Sequence, residues 1–158
     1  MWKELEGIGL KSLTTAAEVD EAVKNTKGTT LIVVNSVCGC SAGSARPGVA
    51  VALQNKVIPD NLTTVFAGVD MEATARAREL MPEIPPSSPS IAIFKDGALV
   101  HFVPRMEIEG HSDQEVGEAL ADAFETHCSR PGPSVPWETV VAVFNADAGP
   151  KCGSELKA

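Results

Sequence analysis

The chain has 158 residues, 44% of them apolar, and a formal net charge of −8; that length buries a substantial core as one domain without disulfide or metal support. Its basic residues are few and dispersed, which excludes nucleic acid as the main partner, because phosphate binding needs clustered Lys and Arg. Four cysteines, at 38, 40, 128 and 152, are too sparse for the framework of a small secreted protein, and with no signal pattern at 1–13 and no apolar stretch of membrane-spanning length, a cytoplasmic chain without a membrane partner is expected.

Residues 1–13 carry Trp2, Leu5, Ile8, Leu10 and Leu13, enough apolar side chains for an ordered arm that packs on the domain. Thr15-Ala16-Ala17-Glu18 is a capping box, and Val19, Ala22 and Val23 give one apolar face to a helix ending near Gly28. Thr30 to Val34 is a continuous β-favouring run of the kind buried on both faces, hence a central strand. After the cysteines, Ala45, Val49, Ala52 and Leu53 suggest a helix reaching about Lys56, and Pro47 inside it requires either a later start or a kink.

Leu62 to Val69 reads as a second strand, with Asp70 as the cap of a helix over 72–81. Pro82 to Pro89 is a proline-rich loop leading into the strand Ser90 to Lys95. Asp96-Gly97 then joins it to Ala98–Val103 as an antiparallel hairpin. Ser112-Asp113-Gln114-Glu115 is another capping box, opening a helix that carries Val116, Leu120, Ala123 and Phe124. Ser129 to Pro136 reads as a connector. Trp137, Val140, Val141 and Phe144 fall at helical spacing, with a strand over Thr139 to Phe144 as the alternative, and 145–158 has too little apolar content to require order.

Chemistry concentrates in Asn35 to Gly43, N-S-V-C-G-C-S-A-G, where a buried strand hands over to a helix. The first amides of a helix lack intrahelical partners and favour a thiolate over a thiol. Residues two apart do not face each other on a helix and lie near the bridging limit on a strand. A Cys38–Cys40 disulfide therefore needs a tight turn, which Gly39 tolerates, and such a bond suits exchange more than stapling. Arg46 offers positive charge to the thiols, or equally is a solvated helix residue.

The element order, with V-C-G-C-S-A-G-S-A-R-P followed by P-P-S-S-P-S-I-A-I-F-K-D-G, resembles the bacilliredoxin family, thioredoxin-like proteins that carry C-G-C in place of C-x-x-C. The resemblance covers roughly Leu5 to Cys128. It implies an α/β, thioredoxin-like fold, a central mixed sheet flanked by helices, over 1–128, with an extra N-terminal arm and a C-terminal extension at 129–158 packed in part on the same domain.

The function it implies is that of a cytoplasmic thiol-disulfide oxidoreductase that removes bacillithiol from mixed disulfides on S-thiolated client proteins. Such a protein needs no cofactor or metal beyond the low-molecular-weight thiol as co-substrate. Cys38 would attack and Cys40 resolve, with Gly39, Ser41 and Arg46 in support. Pro89 would be the cis-proline facing the dithiol, and with Ser88 and Asn35 would meet substrate. A cis X-Pro bond turns the chain so that the preceding amide and carbonyl leave the sheet, open to an extended segment.

Two features depart from the family pattern. Thr30 to Val34 lacks the acidic residue that most thioredoxins carry in the first strand, leaving proton transfer to solvent or Asn35. The segment from Ser129 onward, with Cys152, has no counterpart in a typical core. The competing reading is a non-catalytic metal- or cluster-binding module using the same thiols; His101, His111, His127 and Cys128 fall in separate elements without ligand spacing, and Cys128 and Cys152 read as spare thiols.

Overall fold

The computed structural model describes residues 2–24, 27–36 and 44–146. At its centre is β2, Thr29–Asn35, buried along its whole length. Strand side chains alternate between faces, so Leu31 and Val33 enter one core and Ile32 and Val34 the other. A strand apolar on both faces has to be covered on both. It therefore sits inside a five-stranded sheet of order β1-β4-β2-β5-β6, where β1 is Lys11–Ser12, β4 Asn61–Phe66, β5 Ser90–Lys95 and β6 Ala98–Val103. β1 and β2 run parallel to β4, whereas β5 is antiparallel to β2 and to β6. One core joins the sheet to α1 (Trp2–Gly7), α3 (Arg46–Ala52), α6 (Asp113–His127) and α7 (Trp137–Ala146); the other joins it to α2 (Ala16–Val23) and α4 (Met71–Glu79).

Local chemistry explains most boundaries. Thr15 accepts from the Glu18 amide at 3.2 Å and opens α2, and both halves of the Ser112–Glu115 capping box are made at the start of α6. Asp96 and Gly97 turn the β5–β6 hairpin with φ of 50° and 87°, the positive values that a two-residue hairpin loop needs. The arm is ordered as expected, and it also supplies the edge strand β1.

Several expectations change. α3 starts at Arg46, so Pro47 lies in the first turn, where its missing N–H leaves no intrahelical acceptor unserved and no kink is needed. It ends at Ala52 rather than near Lys56, because Asn55 Nδ2 donates to Val57 O at 3.0 Å and bends the chain into β3, Val57–Ile58. Asp70 stands at the N-cap of α4 as expected, but its side chain makes no capping bond; the carboxylate turns back to accept from the Phe66 amide at 3.3 Å. α5, Arg105–Ile108, lies in a stretch to which the sequence assigned no element, and β7, Arg130–Pro131, in the stretch read as a connector. β7 pairs with β3, and Ser134 Oγ donates to Ile8 O at 2.8 Å. The stretch over 139–144 is helical, because the spacing of Val140 and Phe144 puts both into the core with Leu5 and Ile8.

α3 and α6 cross at two glycines. A Cβ on Gly117 would lie 2.6 Å from Val51 Cγ1, and one on Gly48 2.7 Å from Val116 Cγ1. Their absence lets the two helix backbones approach.

Candidate functional site at the end of the central strand

The register of the sheet brings the two motifs together. Val34 pairs with Ser90 in the antiparallel β2–β5 ladder, so one step further Asn35 falls beside Pro89, and the Ser88–Pro89 peptide is cis. Cys38, Gly39, Cys40 and Ser41 lie outside the described residues, as does Cys152. The segment departs from Asn35 and Ser36 and returns at Ser44 to Arg46, and these residues form its frame.

Arg46 closes this frame. Rather than a solvated helix residue, it is 2% exposed. Its Nη1 donates to Asn35 Oδ1 at 3.1 Å and to Ser36 O at 3.0 Å, so one guanidinium ties the chain leaving β2 to the chain entering α3. Charge-assisted bonds of this kind are about twice as strong as neutral ones. On its other side Arg46 Nε faces Glu4 Oε2 at 3.5 Å, and Glu4 is also buried. Asn35, expected to meet substrate, is wholly buried, with Oδ1 also accepting from the Ser36 amide at 2.9 Å. An amide oxygen occupied in this way has no basicity to offer a thiol, so Asn35 orients the junction.

The cis-proline side is built by α5. Ser87 Oγ accepts from the Arg105 amide at 3.4 Å and Ser88 O accepts from Arg105 Nη1 at 3.3 Å. The Ser88 carbonyl, expected to stand open, is thus engaged by a guanidinium that is itself 44% exposed and paired with Glu109. On the far side of the frame, Ser44 Oγ donates to His111 O at 2.5 Å. The His111 ring lies 3.0 Å from Glu115, and that contact, with the Ser112 bonds, holds the Glu115 carboxyl below its ordinary range. Sequence reading passed over Glu4, Arg105 and Ser44, and weighed His111 only as a metal ligand. A single charge in a short arm or after a strand carries no periodic signal, and only Pro104 just before Arg105 marks that turn.

Cys128, His101 and His127 lie toward the opposite end of β2. Burial pushes the Cys128 thiol up, partly offset by its bond to Thr29, the first residue of β2. Six strand steps separate Thr29 from Asn35, about 20 Å, so Cys128 does not join the frame. His101 and His127 have ring centroids 6.5 Å apart. Among the described residues no group of three His, Cys, Asp or Glu side chains could hold a metal ion, and no helix is long and apolar enough to cross a membrane.

Residues 1–128 match the family described as disulphide isomerase. A bacilliredoxin from Shouchella clausii is 48% identical over 130 residues, covering 82% of this chain and 90% of the relative. One from Halalkalibacterium halodurans is 50% identical over 128 residues, 81% and 89%; one from Bacillus cereus is 54% identical over 130 residues, 81% and 90%. Two solution structures share the fold. The thioredoxin-like domain of Arabidopsis NCP (nuclear control of PEP activity) matches with a TM-score of 0.52 at 18% identity, over 77% of this chain and 80% of that one. Oxidised thioredoxin from Plasmodium falciparum matches with a TM-score of 0.50 at 14% identity, over 73% and 99%. The chain has the thioredoxin fold and belongs to the disulphide isomerase family, to which its bacilliredoxin relatives connect it.

Proposed function

We propose that this protein is a thiol-disulfide oxidoreductase that reduces mixed disulfides between client proteins and a low-molecular-weight thiol such as bacillithiol. The observation that carries the reading is the convergence of Asn35–Ser36 and cis-Ser88–Pro89 at one end of the sheet, on either side of where the C-G-C segment leaves β2. The names of the relatives support the same chemistry.

Cys38, as thiolate, attacks the sulfur of the low-molecular-weight thiol in the mixed disulfide, and the client thiolate leaves. Cys40 then attacks the Cys38 sulfur and releases the small thiol, leaving a Cys38–Cys40 disulfide for an external reductant. Two electrons pass from the dithiol to the substrate disulfide, and each leaving thiolate takes a proton from solvent according to its pKa. The buried Arg46 guanidinium favours the anionic sulfur.

Exposed apolar side chains support a polypeptide substrate. Among the described residues the large ones are Val69, Met71 and Met106. They follow β4 and β6, which both run in the direction of β2, so all lie at the C-G-C end. An extended client segment laid along Ser88–Pro89 would pass between them.

The test uses a protein S-thiolated with bacillithiol. Cys38→Ala is expected to abolish release, and Cys40→Ala to accumulate a bacillithiol adduct on Cys38, read by intact mass. Cys128, with its raised pKa, is expected to label with iodoacetamide at pH 7 far more slowly than Cys38. Full activity in Cys38→Ala, or preferential labelling of Cys128, would overturn the assignment.

A further inference from the structure

Glu4 and Arg46 form a buried ion pair that the exchange mechanism, as stated, uses only by half. We propose that Glu4 is a charge-balancing residue for the thiol pair, acting through Arg46; this rests on the reading of Cys38 as the nucleophile.

Two charged groups at this junction are enclosed together: Arg46 is 2% exposed and Glu4 6%, with 3.5 Å between Nε and Oε2. Arg46 is anchored to Ser36 O at 3.0 Å. Cys38 follows Ser36 by two residues, and two residues of chain reach at most about 7 Å. A unit charge about 10 Å from a thiol shifts it by about 0.3 to 1 pKa unit, for effective dielectric constants between about 80 and 25.

Other charged groups near the frame are placed differently. The Asp70 carboxylate accepts from the amide of Phe66, the residue paired with Asn35. Arg105 on α5 with Glu109 just after it, and Glu115 on α6 with His111 just before that helix, are 44 to 62% exposed and largely screened by water. Asp113 on α6 is buried, and its Oδ1 accepts from the Gln114 amide at the start of its own helix. The neighbours on β2, Asn35 and Ser36, are uncharged.

Opposite signs follow for the two partners. Arg46 alone would stabilise a thiolate strongly, making Cys38 more acidic but a poorer nucleophile, since nucleophilicity falls as the thiol pKa falls. Glu4 returns part of that stabilisation. Its carboxylate comes from α1, so docking of the N-terminal arm sets the electrostatics of the exchange site.

The experiment measures the apparent pKa of Cys38 in the Cys40→Ala background, from the pH dependence of iodoacetamide alkylation read by peptide mass. Glu4→Gln is expected to lower it by a few tenths of a unit up to about one unit, and Arg46→Gln to raise it by a similar amount. Glu4→Asp, which keeps the charge, should return toward the parent value.

A merely structural role for the pair would move both variants in the same direction, and that result overturns the proposal. So does a Glu4→Gln value unchanged within about 0.1 unit. If the parent Cys38 neither alkylates as a thiolate nor reduces a mixed disulfide, the functional reading falls and this inference with it. If the parent is reactive and Glu4→Gln is silent, only this inference falls.

Discussion

Breaking the Glu4–Arg46 pair should cost far more stability than breaking a surface ion pair. At 3.5 Å, unit charges attract by about 5 kcal/mol for an effective dielectric constant of about 20, against about 1 kcal/mol in water. Both side chains are more than nine-tenths enclosed, so removing one leaves the other desolvated without its counter-charge, a loss of about 3–5 kcal/mol in buried pairs. Arg46→Met also leaves Asn35 Oδ1 and Ser36 O without the guanidinium and should lie at the top of that range. Glu4→Leu should lie lower, because Arg46 keeps both of those bonds. The double variant should lose clearly less than the two singles together, with a coupling of about 2 kcal/mol or more, since removing both charges leaves neither stranded. Urea unfolding under reducing conditions, followed by far-UV circular dichroism and extrapolated linearly, reads all four corners of the cycle. Additivity within about 0.5 kcal/mol would mean that water screens the pair, and would refute the buried-pair argument.

Gly117→Ala tests the crossing of α3 and α6. The new methyl would sit 2.6 Å from Val51 Cγ1 and 3.1 Å from Gly48 O, so the helices must part or Val51 must move. Overpacking costs about 1–3 kcal/mol and cancels or exceeds the roughly 1 kcal/mol gained in helix propensity; a higher urea midpoint in the variant would show that the approach is looser than described. His101 gives a pH dependence. Burial, then the neighbouring His127, holds its pKa below the ordinary value, with Glu107 opposing. The unfolded chain therefore binds the proton more readily, so the contribution is full above about pH 6.5 and is lost as the pH falls below that through the depressed native value. His101→Asn should flatten the fall in stability between pH 7 and 5, and an unchanged slope would remove His101 as its source.

Much of this molecule follows from short-range pattern. A run of β-branched and aliphatic residues from Thr30 to Val34 can be satisfied only in the middle of a covered sheet. Asp96-Gly97 between two apolar runs is a hairpin turn, and Ser112 with Glu115 starts a helix wherever the rest of the chain lies. Each signal is complete within a few residues, because it concerns one element's own hydrogen bonds or its own buried face. The C-G-C segment and Ser88–Pro89 were legible as motifs for the same reason. What reaches outside that window was not. The two-residue strands β1, β3 and β7 exist because a distant partner supplies their ladder, and α3 stops where Asn55 captures Val57. Arg46 looks like any helix cation until α1 docks and Glu4 comes to within 3.5 Å. Arg105 gains its place only when β5 and β6 bring α5 beside Ser88. Local composition determines which residues must be buried or turned; which charges then share a buried space depends on how separate elements pack, and no stretch of chain carries that by itself.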